Sequence, residues 1–342
     1  MGGDTRHFVT LVKDLAASGR YSVTHINTSR GREHSRLFRN IWAAVSILSQ
    51  TVFNLSRCDI VSYHASDRGM FLFGPFIVGL GKAFRKPTLL RVFGGSFGDF
   101  YLGRNRLTKL LIRKLILSAD VVLLQTRRLK SQLANQGLAR LVWFSTYIDP
   151  AKLRPKEVNG RGIERGCSRF VFLGHLWKAK GLETILEAAS KLPGNCSIDI
   201  FGPPDEYTPA DIARRGCGRV RYGGFLTHHE VDQKLWDYDC VVLPTHHPGE
   251  GYPGVIAEAF AHELPVITTN WLAIPEIVDA GCGILIEPGD TQAFIAALAA
   301  LHFDRNLWLL LKRGARLQAR QFDHELWAGK FDEVCEQLVG RL

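Results

Sequence analysis

Two glutamates lie eight residues apart in the stretch HPGEGYPGVIAEAFAHELPVITTN, residues 247–270. Glu250 stands just before the Gly-Tyr-Pro-Gly run 251–254, and Glu258 lies in the helix-like segment that follows. A carboxylate accepts hydrogen bonds but cannot donate them, so it suits sugar hydroxyls and repels phosphate. The spacing therefore indicates two carboxylates that each bind a polyol.

These carboxylates depend on a strand before them and on a helix that starts between them. The apolar run DCVVLPT, residues 239–245, predicts a strand whose carboxyl end faces a ligand crevice. Pro253 and Gly254 suit a helix start, where the first amides can face a phosphate. We predict that Glu258 binds a ribose and that Glu250 binds a second polyol. The spacing alone also fits glutamates that merely favour the helix dipole, by ~0.3–1 kcal/mol each.

Strand and helix patterns alternate through the whole chain, which predicts α/β architecture with parallel sheets. Predicted helices cover residues 5–18, 104–119 and 290–302, the last capped by Asp290, and a capping box joins Thr227 to Glu230. Predicted strands cover residues 21–27, 59–65, 87–93, 120–126, 140–145, 169–174, 196–202, 239–245, 264–269 and 283–287.

The alternation is interrupted once, by the aperiodic Pro-, Gly- and charge-rich segment 151–168, which has the composition of a linker. We predict two Rossmann-like, doubly wound domains, residues 1–150 and 169–342, facing across a cleft, with the last helix returning to the first domain. A first strand before the Gly2-Gly3 turn is missing. Either translation begins upstream of Met1, or this sheet is incomplete.

Charge is unevenly divided between the two halves. Residues 1–150 carry 22 Lys and Arg against 8 Asp and Glu, whereas residues 151–342 carry 21 against 25. A basic domain suggests an anionic partner: nucleic acid, an anionic membrane or a phosphorylated substrate. A solvated surface without a partner is the alternative.

The cysteines and the apolar runs indicate the cellular compartment of the protein. The seven cysteines are scattered, odd in number and form no C-x-x-C pair, which favours a reducing cytoplasm. No secretory signal follows Met1. The longest apolar stretch, residues 70–80, is far shorter than the ~20 residues that span a bilayer. We expect a cytoplasmic protein that is soluble or lies on a membrane surface.

The stretch around the two glutamates resembles the donor-site signature of family 4 retaining glycosyltransferases, which have the two-domain GT-B fold. The family pattern places Glu-x7-Glu after Pro-Ser and before Pro-Val-Ile. Here Pro244-Thr245 precede Glu250, and Pro265-Val266-Ile267 follow Glu258. The resemblance implies that Glu250 contacts the donor sugar and that Glu258 contacts the nucleotide ribose.

A second stretch, FLGHLWKAKGLETILEA (172–188), resembles the family segment that binds the donor diphosphate through Arg and Lys. Lys180 and Gly181 match, but His175 stands where Arg is usual. A histidine is largely neutral at pH 7, so the implied phosphate clamp is weaker unless Lys178 compensates. An inert packed histidine is the alternative for position 175.

In the amino-terminal half, Gly2-Gly3 match the family's glycine turn, and Phe93 replaces its histidine beside the reacting sugar. His64 and Asp99 are the polar candidate site residues on the amino-terminal side of the predicted cleft. The resemblance implies a front-face mechanism, in which the departing diphosphate accepts the acceptor's proton and these two residues only orient groups. Each could equally have no chemical role.

Two further patterns carry little weight. Asp-Tyr-Asp at 237–239 resembles a metal-binding Asp-x-Asp, but about one such match is expected by chance. The pairs His228-His229 and His246-His247 do not share a helix face and no other ligands complete a site. We expect no metal and no cofactor.

The segment 104–119 combines leucines and isoleucines with five basic residues. It predicts either a membrane-surface helix that reaches a lipid-linked acceptor, or a core-facing helix with a solvated basic face.

Together these patterns predict a peripheral retaining glycosyltransferase (a hexosyltransferase) that uses a nucleotide diphosphate sugar and a glycan or polyprenol-linked acceptor, in surface polysaccharide or lipopolysaccharide biosynthesis. Another GT-B enzyme, such as a nucleotide-sugar epimerase, and an inactive membrane- or partner-binding scaffold stay open. No nucleic-acid motif accompanies the charge. The predicted catalytic residues are Lys180, Glu250, His64 and Asp99; the predicted donor-binding residues are Glu258, His175, Gly174, Gly251, Tyr252, Pro253, Gly254, Gly2 and Gly3.

Overall fold

The computed structural model describes residues 3–27, 37–138, 140–148 and 167–340. The chain divides into two compact units. The first unit consists of the residues up to Gln125, Leu129–Phe144 and the residues from Trp327; the second consists of Thr126–Arg128 and Ser145–Leu326. Most of the predicted linker 151–168 lies outside the described residues.

The amino-terminal elements, in chain order, are α1 (Gly3–Ala17), α2 (Leu37–Leu55), β1 (Val61–Ser66), α3 (Asp67–Ala83), β2 (Thr88–Phe93), α4 (Ser96–Leu102), α5 (Arg106–Leu115), β3 (Val121–Leu124), α6 (Arg127–Ala134) and β4 (Leu141–Trp143). The later elements are β5 (Arg169–Leu173), α7 (Leu182–Ala188), β6 (Ser197–Phe201), α8 (Pro209–Arg215), β7 (Val220–Gly224), α9 (His228–Leu235), β8 (Cys240–Leu243), α10 (Gly254–Ala261), β9 (Val266–Thr269), β10 (Gly283–Ile286), α11 (Thr291–Phe303), α12 (Arg305–Gln318) and α13 (His324–Val339).

The first unit is built on a parallel sheet whose four described strands keep sequence order, β1-β2-β3-β4. Strands β2 and β3 are buried along their whole length. Their Leu90 and Val122 pack in one hydrophobic cluster with Met70 and Phe73 of α3 and Ile112 of α5. Strands that are buried along their whole length are expected where a parallel sheet is covered on both faces.

Helix α13, from Trp327 onward, belongs to this first unit. The Trp327 ring packs edge-on against Trp143, with 4.9 Å between ring centroids, and against Phe144, at 5.4 Å. Aromatic rings bury large areas and favour such edge-to-face contacts, so they hold the carboxyl-terminal helix on the end of β4.

The second unit carries a six-stranded parallel sheet in the order β10-β9-β8-β5-β6-β7. The chain winds outward from β5 through β6 to β7, then returns to β8 on the other side of β5 and continues to β10. The strand order therefore reverses between β5 and β8. In an open α/β sheet such a reversal leaves a crevice at the carboxyl ends of the two strands.

Two parallel sheets flanked by helices confirm the predicted α/β fold class. The facing of two domains across a cleft stays a prediction. The capping box Thr227–Glu230 and the Asp290 cap are confirmed by their hydrogen bonds to backbone N–H groups.

The predicted strand at residues 21–27 is wrong. This segment forms no strand and pairs with none of the described strands, and Val23 is 37% exposed. A strand needs a neighbour for its backbone N–H and C=O groups, and the alternating pattern alone does not supply one.

Several elements were not predicted from the sequence, and strand β7 and helix α3 show why. Strand β7 pairs with β6 at the sheet edge, where only Val220 of its residues is buried and the apolar pattern is weak. Helix α3 contains Pro75 inside an apolar run, so its helical period is obscured. Among the described residues, no single helix is long and apolar enough to cross a membrane, although α11 and the following helical segment pass that test together as a bent pair.

Helix α7, which starts immediately after the Lys180-Gly181 pair, is anchored through Glu183. The carboxylate accepts two hydrogen bonds from the Arg215 guanidinium, at 3.0 and 2.6 Å, and one from the Tyr207 hydroxyl. These donors, Arg215 first and Tyr207 second, lower the pKa of Glu183 to about 2. The ion pair thus ties the start of α7 to α8.

This anchor predicts a defined pH dependence of stability. Because the folded pKa lies below the unfolded value, the stabilisation is complete above about pH 4.5 and is lost as pH falls through about 2. Glu183→Gln is expected to lower the free energy of unfolding by ~2 kcal/mol at pH 7, after allowing for partial exposure. In urea titrations, this difference from wild type should shrink below pH 4.5. Glu187→Gln, one turn along, is the control, and an equal, pH-independent loss in both variants would contradict the assignment.

Candidate active site

The candidate site lies where the strand order of the second sheet reverses. One loop leaves β5 at Gly174 and runs to Gly181, and the other leaves β8 at Pro244 and runs to Pro253. All predicted site residues of the carboxyl-terminal half lie in these two loops or in α10. The topology therefore brings two segments 70 residues apart in sequence to one edge of the sheet.

The two loops approach so closely that one position requires glycine. Gly181 has φ +87°, and a Cβ there would lie 2.1 Å from the Pro244 carbonyl oxygen. The His246 N–H donates to the Ala179 carbonyl at 2.8 Å, and the Thr245 hydroxyl oxygen lies 3.1 Å from the same carbonyl oxygen. These contacts fix the residue before Gly181 against the β8 loop.

That residue, Lys180, forms an ion pair with Glu250. The ammonium nitrogen lies 2.7 and 3.0 Å from the two carboxylate oxygens, and the Thr245 hydroxyl donates to the carboxylate at 2.9 Å. The Lys180 side chain is 18% exposed and that of Glu250 is 8% exposed. The predicted sugar-binding carboxylate and the predicted phosphate-binding cation are therefore direct partners.

Both partners keep some capacity to bind a ligand. An ammonium has three N–H donors, and Glu250 takes two of those of Lys180. A carboxylate has about four acceptor positions, and the described contacts occupy three of those of Glu250. One donor and one acceptor thus remain, side by side, at the carboxyl edge of the sheet.

Glu258 lies one turn inside α10, which begins directly after the N-cap residue Pro253, one position later than predicted. Its neighbours Ala257 and Ala259 are buried, whereas the Glu258 side chain is half-buried. The imidazole of His262 lies 2.7 Å from the Glu258 carbonyl oxygen and 3.0 Å from that of Asp232. The end of α10 is therefore tied to α9.

Tyr252, between the two glutamates, is buried and its hydroxyl donates to the Glu276 carboxylate. Glu276 also accepts from the N–H groups of Arg127 and Arg128, at 2.8 and 2.6 Å. Tyr252 thus links its loop to Glu276, and its predicted donor-binding role stays a prediction. Glu276 is not among the site residues predicted from the sequence.

His175 follows Gly174 in the β5 loop and lies in a stack of three rings. Its imidazole stacks on the Trp177 indole at 4.5 Å between centroids, and the other stacking contact of that indole is with His247, at 5.6 Å. Lys178, the predicted substitute for the missing arginine, is exposed. The predicted phosphate clamp is thus built differently from an Arg–Lys pair.

The amino-terminal candidates lie in the first unit. His64 is the fourth residue of β1; its Nε2 is 2.7 Å from the Ser62 hydroxyl, and Phe8, Phe93 and Phe331 surround the ring at 4.8–6.4 Å. Burial first, and the Arg91 charge second, hold the pKa of His64 well below its usual value. A neutral ring follows from these surroundings.

Asp99 lies in α4, where its carboxylate accepts from the Gln132 amide at 2.7 Å. Gly3 is the first residue of α1, and Gly2 lies outside the described residues. No observation here gives Asp99 or the glycine pair a chemical role, so those roles stay predictions.

The patterns that carried little weight in the sequence have structural roles. Asp237 pairs with Lys234 at 3.0 Å, and Asp239 accepts from the N–H groups of Ser168 and Arg169 at the start of β5. Within the described ranges, no group of three His, Cys, Asp or Glu side chains could hold a metal ion. All seven cysteines are free, and five of them are buried.

A shallow cavity of about 730 Å³ lies apart from the two loops, between β6, β7 and α9. Its charged side chains already have partners: Asp199 accepts from Tyr238 at 2.8 Å and lies 3.5 Å from Arg221. The cavity therefore offers a ligand fewer available charged groups than the crevice where the strand order reverses.

Comparison with known proteins finds similarity in the carboxyl-terminal half of the chain. The family model described as Glycosyl transferases group 1 matches residues 167–304. The putative colanic acid biosynthesis glycosyltransferase WcaL of Salmonella typhimurium is 42% identical over 170 residues, which are 44% of this chain and 39% of that protein. The matched region thus spans about two fifths of the length of that relative.

Solved structures share the fold at low sequence identity. Sucrose-phosphate synthase from Thermosynechococcus elongatus has a TM-score of 0.76 and 15% identity, covering 100% of this chain and 94% of that chain. Anabaena HepE in complex with UDP has a TM-score of 0.70 and 16% identity, covering 85% and 82%. The chain therefore has the α/β fold of these proteins, and its residues 167–304 are a glycosyl transferases group 1 domain.

Proposed function

We propose that this protein is a family 4 retaining glycosyltransferase that moves a sugar from a nucleotide diphosphate sugar to a glycan or polyprenol-linked acceptor, in surface polysaccharide assembly. The observation that carries the proposal is the Lys180–Glu250 pair at the strand reversal, with Glu258 one turn into the following helix. WcaL, whose name refers to colanic acid biosynthesis, supports the polysaccharide class.

Each group then has one task in donor binding. The remaining N–H of Lys180 donates to the diphosphate, and the remaining acceptor position of Glu250 takes a hydroxyl of the donor sugar. Glu258 accepts from the ribose hydroxyls, and the first amides of α10 face the diphosphate. HepE, solved with UDP on the same fold, supports a nucleoside diphosphate as the ligand class.

In the proposed reaction, the bond between the anomeric carbon and the diphosphate oxygen breaks as the acceptor oxygen attacks from the same face. The acceptor's proton passes to the departing diphosphate, so no protein base is required. Lys180 stabilises the charge that develops on this leaving group. The proposal assigns this task to protein N–H donors and uses no cofactor; His64 and Asp99 only orient groups.

Two substitutions test the assignment. Glu258→Ala and Lys180→Ala should each reduce transfer by ~100-fold or more, because each removes a contact to the donor in a water-poor site. Activity is measured with the nucleotide sugar that a screen for donor hydrolysis identifies, and circular dichroism checks the fold. Glu263→Ala and Lys191→Ala are the matched controls. Wild-type turnover in both test variants would contradict the proposal. A wild-type chain that binds no nucleoside diphosphate at millimolar concentration would contradict it as well.

We also infer that α5 binds an anionic membrane surface, and that the protein is otherwise cytoplasmic. Of its residues only Ile112 is buried, and its four leucines are 46–67% exposed. Ile112 packs in the core cluster of the first unit, as the core-facing alternative expects, while the four leucines leave apolar surface exposed. Its basic residues, Arg106, Lys109, Arg113 and Lys114, flank the leucines, an arrangement that suits an interfacial helix.

Charge reversal tests this surface. Lys109→Glu combined with Lys114→Glu should weaken binding to phosphatidylglycerol vesicles by ~10-fold or more, since each basic residue contributes ~1 kcal/mol near an anionic leaflet. Co-sedimentation with these vesicles, and with phosphatidylcholine vesicles, measures the effect. The control, Lys191→Glu with Arg313→Glu, changes the net charge equally at other surfaces. Equal losses in the two double variants would show general electrostatics and contradict a role for α5.

A further inference from the structure

His247 lies in the β8 loop between Thr245 and Glu250, where hydrogen bonds and a ring contact hold it in place. Its backbone N–H donates to the Thr245 hydroxyl at 3.2 Å, its carbonyl accepts from the Trp271 indole at 2.9 Å, and its ring stacks on Trp177. In the sequence this residue is one of a pair of adjacent histidines, a pattern that predicts no ligand set. The structure places it beside the proposed donor site.

A backbone hydrogen bond determines which ring nitrogen of His247 carries the proton. The Gly249 N–H donates to Nδ1 at 3.1 Å, so Nδ1 acts as an acceptor and the neutral ring carries its proton on Nε2. Burial first, and the Lys180 charge second, lower the pKa of His247, which favours this neutral ring. Within the described part of the chain Nε2 makes no hydrogen bond, and it is not enclosed. His247 therefore presents one oriented N–H donor.

The charged groups near His247 supply few free N–H donors for a diphosphate, so a further donor would strengthen its binding. Lys180 gives two of its three N–H groups to Glu250, so a bound diphosphate meets a cation that is already largely compensated. Position 175 carries an imidazole stacked on Trp177 rather than a guanidinium. A diphosphate oxygen accepts only, and a hydrogen bond from N–H to an anionic oxygen is roughly twice as strong as one between neutral groups.

His247 is also linked to the ion pair through one side chain. The Thr245 hydroxyl oxygen accepts from the His247 N–H and itself donates to the Glu250 carboxylate. The His247 backbone N–H and the Glu250 carboxylate are thus both hydrogen-bonded to the Thr245 hydroxyl. A ligand that reaches Lys180 therefore comes close to the His247 loop.

We propose that His247 is a further donor-binding residue, whose Nε2–H donates to a diphosphate oxygen of the nucleotide sugar beside Lys180. This assignment rests on the proposed function. The Trp177 ring, which stacks on both His175 and His247, holds the imidazole plane. The three-ring stack thus supplies part of the phosphate recognition that an arginine at position 175 would have supplied.

Three substitutions separate the N–H donor from the packing of the ring. His247→Phe keeps a flat ring on Trp177 but has no N–H. His247→Asn keeps an acceptor for the Gly249 N–H but has no N–H donor at the position of Nε2. His247→Gln keeps an outward N–H donor. His229→Phe, at an exposed histidine of α9, is the matched control.

Calorimetry measures the affinity of each variant for the nucleoside diphosphate, among UDP, GDP, ADP and CDP, that wild type binds most tightly, and for the corresponding nucleoside. Loss of a charge-assisted hydrogen bond should weaken diphosphate binding ~10-fold or more in the Phe and Asn variants. Nucleoside binding should stay unchanged, and the Gln variant should stay within about threefold of wild type.

Wild-type diphosphate affinity in the Phe and Asn variants overturns the assignment, as do equal losses for diphosphate and nucleoside. If the Phe variant fails to fold, the contrast between Asn and Gln decides in the same way. A wild-type chain that binds none of the four diphosphates overturns the proposed function itself, which is a different outcome from normal binding by the variants.

Discussion

The pairing of Lys180 with Glu250 is the constraint on which the site depends. Both charges are largely withdrawn from water, and each is tolerable there only because the other is present. Removing one partner of such a pair typically costs ~3–5 kcal/mol, because the other charge is left buried and uncompensated. The close approach at Gly181 and the Thr245 hydroxyl bonds keep the two side chains together.

The fold supplies this pair through its strand order. Strands β5 and β8 are neighbours although the chain makes β6 and β7 between them, so their loops share one crevice. Glu183 then anchors α7 behind the first loop, and His262 ties the end of α10 behind the second. Two of the groups proposed to bind the donor, Lys180 and Glu250, thus also hold the two loops together.

Much of this could be predicted from the sequence, and the remainder has physical reasons. Apolar runs and capping residues predict the strands and helices of the second unit, because those signals are local. The segment 21–27 failed because alternation does not provide a pairing partner, and β7 was missed because an edge strand is only weakly apolar. The Lys180–Glu250 contact and the exposed leucines of α5 depend on tertiary packing, which spacing alone does not determine.

The most direct test of the central claim is a crystal structure of this chain with the nucleoside diphosphate that it binds most tightly. The account predicts the diphosphate within hydrogen-bond distance of the Lys180 ammonium and the ribose hydroxyls against the Glu258 carboxylate. A nucleotide bound elsewhere, for example in the cavity between β6, β7 and α9, with the strand reversal empty, would contradict it.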